Sequence, residues 1–97
     1  MSKPMAKAKI AAALEKLPGW KFQRDALVKT FKFHSFREAF SFMVHAAFEA
    51  ELMNHHPDWT NVYDRLTIRL SSHDAGDVVT AKDIELAGRI QKFSWVG

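Results

Sequence analysis

The most regular pattern in the chain is "RLTIRLSS" (65–72), where Leu66, Ile68 and Leu70 alternate with Thr67, Arg69 and Ser71. A period of two predicts a strand with one buried face. "DWTNVYD" (58–64) precedes it and forms the other half of a hairpin. Two earlier runs, "WKFQ" (20–23) and "ALVKTFKF" (26–33), predict a second hairpin across Arg24-Asp25, a two-residue connection without the usual glycine. Phe31 and Phe33 alternate with Lys32, but Lys29 spoils the pattern on the apolar face.

Helical spacing takes over elsewhere. Ile10, Leu14 and Leu17 recur at a helical interval, with Pro4 suited to a first turn and Pro18-Gly19 as the stop. Ser35 and Glu38 fit a capping box that opens a long helix. From Phe36 to Met53 the polar residues Arg37, Ser41, His45 and Glu49 fall four apart in one narrow column, and almost everything else is apolar. A helix lying on one sheet buries a single stripe, so the surplus predicts a second packing partner, a further subunit. Pro57 ends this helix at or near His56, since the residue before a proline is pushed out of the α region. Thr80 and Asp83 cap a last helix carrying Ile84, Ala87 and Ile90, after the loop "HDAGDVV".

The predicted order is α-β-β-α-β-β-α, an α+β fold with a four-stranded antiparallel sheet and helices packed on one face, as one domain over 1–97. Apolar residues make up 47% of the 97, including 8 Phe and 3 Trp, enough for a core without staples. No cysteine is present, which excludes disulfides, thiolate nucleophiles and cysteine-rich zinc sites. "MSKPMAKAKI" lacks the apolar run of a secretory signal, and no stretch suits a membrane helix, so a soluble cytoplasmic domain is expected. The net charge of +3 is scattered; Lys3, Lys7, Lys9 and Lys16 alone crowd together, and they read as a solvated face before a phosphate-binding patch. Direct contact with nucleic acid is not expected.

The candidate chemistry lies in "ELMNHHPDW" (51–59). Pro57 splays His55 and His56 out of the helix end, where both can face a common cavity. Glu51 lies four residues before His55 and is expected to orient its ring. Imidazoles that exchange protons near neutral pH suit general acid–base work, and His73 could join the pair if the hairpin folds back. The bland readings stand beside these. A histidine at a helix C-terminus is stabilising in its own right, Asp83 is accounted for as a cap, and Trp20, Trp59 and Tyr63 suit a core. His34 and His45 are assigned as ordinary surface or core residues, not catalysts. Adjacent residues chelate one ion poorly and HExxH spacing is absent, so no metal site is expected.

"ELMNHHPDWTNVYDRLTIRLSSHDAG…TAKDIELA" resembles the pterin-4a-carbinolamine dehydratase family, known also as the dimerization cofactor of hepatocyte nuclear factor. The family pattern is met by Glu51, His55, His56, Pro57, Tyr63, His73 and Asp83, and the resemblance extends to "GWKF" (19–22) and "FHSFREAFSFM" (33–43). It implies dehydration of 4a-hydroxytetrahydropterins, released by aromatic amino acid hydroxylases, to quinonoid dihydropterins in tetrahydrobiopterin metabolism, without metal or organic cofactor. His55 and His73 would be the general acids, Glu51 would support His55, and His56, Pro57, Trp20 and Asp83 would bind or enclose the pterin. The oligomer would be a homodimer or homotetramer through the long helix, 35–55. Two alternatives accompany this reading: a noncatalytic protein-binding module of transcriptional-coactivator type, and a pterin-binding protein of another pathway.

Overall fold

The computed structural model describes residues 3–97; the first two residues of the expected domain lie outside it. The chain forms α1 (Lys7–Leu14), β1 (Lys21–Gln23), β2 (Ala26–Lys32), α2 (Phe36–Met53), β3 (Asp58–Val62), β4 (Arg65–Leu70) and α3 (Ala81–Phe93), with a short 3₁₀ turn at His73–Ala75. The sheet is antiparallel throughout, in the order β1-β2-β4-β3. This is the expected α-β-β-α-β-β-α arrangement.

The period-two faces dictate where the core sits. Leu27, Phe31 and Phe33 from the first hairpin and Leu66, Ile68 and Leu70 from β4 are all buried under the helices. Thr30, Lys32 and Arg65 on the other face are exposed. The helices contribute Ile10, Ala39, Phe42, Ala46, Ala50, Leu86, Ala87 and Ile90 to the same cluster. Phe42 lies between Phe31 and Phe33, with ring centroids 4.9 and 5.0 Å away. Small alanines along that stripe of α2 let the helix approach the sheet closely.

Lys29 breaks the hydrophobic pattern but not the packing. It shares the inner face and is 8% exposed. Its ammonium donates to the Pro18 carbonyl and to Gln91 Oε1, each at 2.7 Å, and to the Gly97 carbonyl, and it sits 4.7 Å from the Phe31 ring centroid. Its stem is thus buried on the inner face while its charge is satisfied. Gly19 makes room for it. With φ at +84°, that residue is left-handed, and a Cβ there would stand 2.8 Å from Lys29 Cε.

Several boundaries differ from the sequence expectation. Pro4 precedes α1 instead of occupying its first turn, and α1 ends at Leu14, where hydrogen bonds three residues back tighten the chain into Leu17. Arg24 and Asp25 both take positive φ (48° and 61°), which gives the hairpin its two left-handed positions without glycine. β3 stops at Val62, so Tyr63 and Asp64 form a turn, held by the Asn61 side chain donating to Tyr63 O and Arg65 O. The column on α2 is not wholly solvated: Glu49 is half-buried and meets Arg89 of α3 at 3.4 Å.

Candidate active site

The end of α2 determines which histidine points where. Asn54, not Pro57, terminates the helix, by adopting a left-handed conformation (φ 50°, ψ 43°). Asparagine tolerates that region because its short polar side chain bonds locally. His55 N–H then reaches back to Ala50 O at 3.0 Å and closes the helix end. Beyond this reversal the helical register no longer applies. His55 turns inward toward α3, while His56 swings out over the last helical turn.

His55 Nε2 lies 2.6 Å from Asp83 Oδ1, with the two side chains 9% and 0% exposed. Asp83 owes its position to the capping box that starts α3: its carboxylate accepts Thr80 N–H at 2.8 Å, and the Thr80 hydroxyl caps in return. The same Oδ2 oxygen accepts the Ser72 hydroxyl at 2.8 Å. Two donors on one oxygen suit an ionised carboxylate, which can only accept, so His55 Nε2 carries the hydrogen. Nδ1 is the nitrogen left for a ligand.

The expected Glu51–His55 contact does not form. Glu51 Oε1 instead meets His56 Nε2 at 2.8 Å, on the surface, because the four-residue spacing assumed a helix that ends too early to include His55. His73 begins the 3₁₀ turn, with Nδ1 3.0 Å from Asp77 Oδ1. The hydrogen bond that the His73 ring donates to Asp77, then the charges of Asp77 and Asp74, raise the His73 pKa above the ordinary 6.5 and favour the imidazolium.

A cavity of about 430 Å³ is bordered by His55, His56 and His73 together with Asn54, Ser71, Asp74 and Lys82. The hairpin thus does fold back and bring all three histidines to one opening. Asp83 has no exposed surface and both its oxygens are taken, so it supports His55 from beneath instead of facing a ligand. Pro57 is half-buried beside His56. Trp20 is not brought to this opening: it is 4% exposed, its indole N–H donates to Gln91 Oε1 at 3.0 Å, and its ring meets Phe31 edge-on. His34 pairs with Glu38, and His45 stacks on Phe93 at 3.8 Å, both away from the cavity. Among the described residues, no group of three or more His, Cys, Asp or Glu converges to hold a metal ion. Sequence reasoning missed Asn54, Ser71, Asp74 and Lys82 on the cavity wall and Ser72 and Asp77 behind it; only the four-residue spacing of His73 and Asp77 hinted at one of them.

Residues 3–93 match the family described as Pterin 4 alpha carbinolamine dehydratase. The chain belongs to that family. It is 63% identical over 93 residues to a protein of Opitutus terrae that carries the pterin-4-alpha-carbinolamine dehydratase name, covering 96% of each chain. A protein of Solibacter usitatus carrying the same name is 46% identical over 94 residues, with 97% of this chain and 98% of that one covered. The crystal structure of transcriptional coactivator/pterin dehydratase from Brucella melitensis superposes with a TM-score of 0.88 at 34% identity, over 97% of this chain and 99% of the other.

Proposed function

We propose that the chain is a hydro-lyase that converts a 4a-hydroxytetrahydropterin to a quinonoid dihydropterin and water. Family membership and the dehydratase name of its relatives support the reaction class. The observation that carries the mechanism is the buried His55–Asp83 pair beneath a cavity that His56 and His73 also border.

The reaction needs two proton transfers. The 4a hydroxyl must gain a proton as its C–O bond breaks, and the neighbouring ring nitrogen must lose one as the C=N bond forms. His73, held toward its charged form by Asp77, suits the donor role. His55, with Nε2–H committed to Asp83, offers Nδ1 as the acceptor. His73 ends neutral and His55 protonated; once product leaves, His55 releases its proton to water in the open cavity and His73 regains one from solvent. His56, steadied by Glu51, and Pro57 bind and orient the pterin. The proposed reaction uses no metal or organic cofactor, so exhaustive chelation should leave the rate unchanged.

No helix among the described residues is long and apolar enough to cross a membrane; the proposed activity is cytoplasmic, beside an aromatic amino acid hydroxylase in tetrahydropterin recycling. The chain assembles as a homodimer or homotetramer through α2. Supporting this, Phe36, Phe40, Val44, Phe48 and Leu52 form one ridge at four-residue spacing, with Phe48 65% and Leu52 76% exposed. The test of the reaction is stopped-flow spectroscopy on freshly generated carbinolamine: quinonoid dihydropterin should form faster with the protein than without it. An unchanged rate would refute the proposal.

A further inference from the structure

The hydrogen bonds beneath His55 have only one self-consistent direction. Ser72 owns a single hydroxyl hydrogen and gives it to Asp83 Oδ2. The 2.6 Å contact between Ser72 Oγ and Thr80 Oγ1 therefore needs Thr80 as the donor. Thr80 Oγ1 in turn accepts Lys82 N–H at 3.3 Å. Hydrogens run from the first turn of α3 through two hydroxyls onto the Asp83 carboxylate, which accepts from that side at Oδ2 and from the His55 Nε2–H at Oδ1. Ser72, Thr80 and Asp83 are each 1% exposed or less, so the hydrogen-bond chain is shielded from bulk water.

The Ser72 backbone has a separate task. Its N–H donates to Val78 O at 2.8 Å, and its carbonyl accepts from Ala75 N at 3.1 Å and Asp77 N at 3.0 Å. These bonds close the loop that carries His73 and Asp77.

We propose that Ser72 is the positioning residue of this site: its hydroxyl, backed by Thr80, fixes the Asp83 carboxylate and through it the His55 tautomer, while its backbone anchors the His73 loop. The inference rests on the dehydratase reading for its consequence, but not for its geometry. Removing the hydroxyl leaves Thr80 without an acceptor and one carboxylate lone pair without a donor. Asp83 is then held on that side by the Thr80 N–H alone, and its hold on the Nε2–H form of His55 weakens.

The experiment compares the full chain with Ser72→Ala and Ser72→Thr, by ring-nitrogen NMR of ¹⁵N-histidine-labelled protein and by dehydration kinetics. In the parent, neutral His55 should show a protonated Nε2 and a bare Nδ1. In Ser72→Ala those signals should move toward a tautomer average, and kcat should fall about tenfold to a hundredfold, the scale of one lost hydrogen bond to a charged group, with KM within about twofold. Ser72→Thr, which keeps the hydroxyl, should restore both. If Ser72→Ala does not fold, Ser72→Cys, a near-isosteric and weaker donor, should show the same changes to a smaller degree. Parent-like His55 signals in a folded Ala or Cys variant would overturn the proposal. The NMR arm uses no substrate, so an inactive parent with a shifted Ser72→Ala spectrum would sustain the hydrogen-bond chain and remove the dehydratase reading instead.

Discussion

Asp83 reaches His55 across 2.6 Å although 28 residues separate them, and it does so from the first turn of α3, where it also caps the helix. One carboxylate thus starts a helix and fixes a ring. Glu51, which is far nearer in sequence, is spent on the exposed His56. The two carboxylates should therefore respond very differently to the same isosteric change. Asp83→Asn should lower kcat by roughly 10² to 10⁴, the range for a disabled proton-transfer group. Glu51→Gln removes one surface pair, worth at most about 1 kcal/mol, and should change kcat/KM by less than about fivefold. Steady-state kinetics on both variants, with thermal melts to confirm folding, decide it. Equal losses would contradict the assignment of Asp83.

The pH dependence should report His73. Hydrogen bonding to Asp77 raises its pKa above 6.5. An acid must be protonated to act, so activity should decline as pH rises through that raised value. Asp77→Asn removes the cause, and the alkaline limb of the kcat/KM profile should move to lower pH. Because the His73 side chain is 97% exposed, solvent screens the pair and the shift should be modest. A limb that stays in place, or moves upward, would exclude His73 as the acid.

How much of this was legible in the sequence depends on whether the relevant physics is local. The alternation of Leu66, Ile68 and Leu70, the Thr80–Asp83 capping box and the surplus apolar surface of α2 depend on neighbours within four residues, and all appear in the structure. Of the Ser35–Glu38 box only half forms, because the Ser35 hydroxyl accepts Glu38 N–H while the Glu38 carboxylate takes the His34 N–H instead. The errors arise where distant groups decide. Lys29 looked like a fault in its strand because its partners, Pro18, Gln91 and Gly97, come from three other segments. Glu51 was matched to the wrong histidine because Asn54 reverses the chain before the proline does. Asp83 could be seen as a cap, but its second use needed the fold to bring α2 and α3 together.

Lys29 also gives the fold a pH signature. Burial lowers its pKa from the usual 10.5, so the folded protein releases this proton before the unfolded chain does. The unfolded state then binds more protons, and the Lys29 contribution to stability rises with pH across the window below 10.5. Denaturant unfolding of the parent and Lys29→Met at pH 7 and about pH 9.5 should show the difference moving in favour of the parent at the higher pH. A difference that moves the other way would mean that Lys29 is held charged by its acceptors more firmly than burial opposes it.

The ridge on α2 predicts the behaviour of a single charge. Phe48→Glu places a carboxylate in the proposed contact between copies while leaving the buried stripe of Ala39, Phe42, Ala46 and Ala50 intact. Light scattering at micromolar concentration should show an oligomer for the parent and a smaller species for the variant, with the helical circular dichroism preserved. A monomeric parent would refute assembly through this face.

The most direct test of the central claim, that His55 moves a proton in carbinolamine dehydration, is a stopped-flow comparison of the parent, His55→Gln and His45→Ala. Glutamine is the better probe than alanine, because it can still donate to the buried Asp83 and avoids stranding a charge. His45, stacked on Phe93 outside the cavity, controls for the loss of any histidine. The account predicts a loss of roughly 10² to 10⁴ in the protein-dependent rate for His55→Gln and near-parent activity for His45→Ala. Parent-like dehydration by a folded His55→Gln would contradict it.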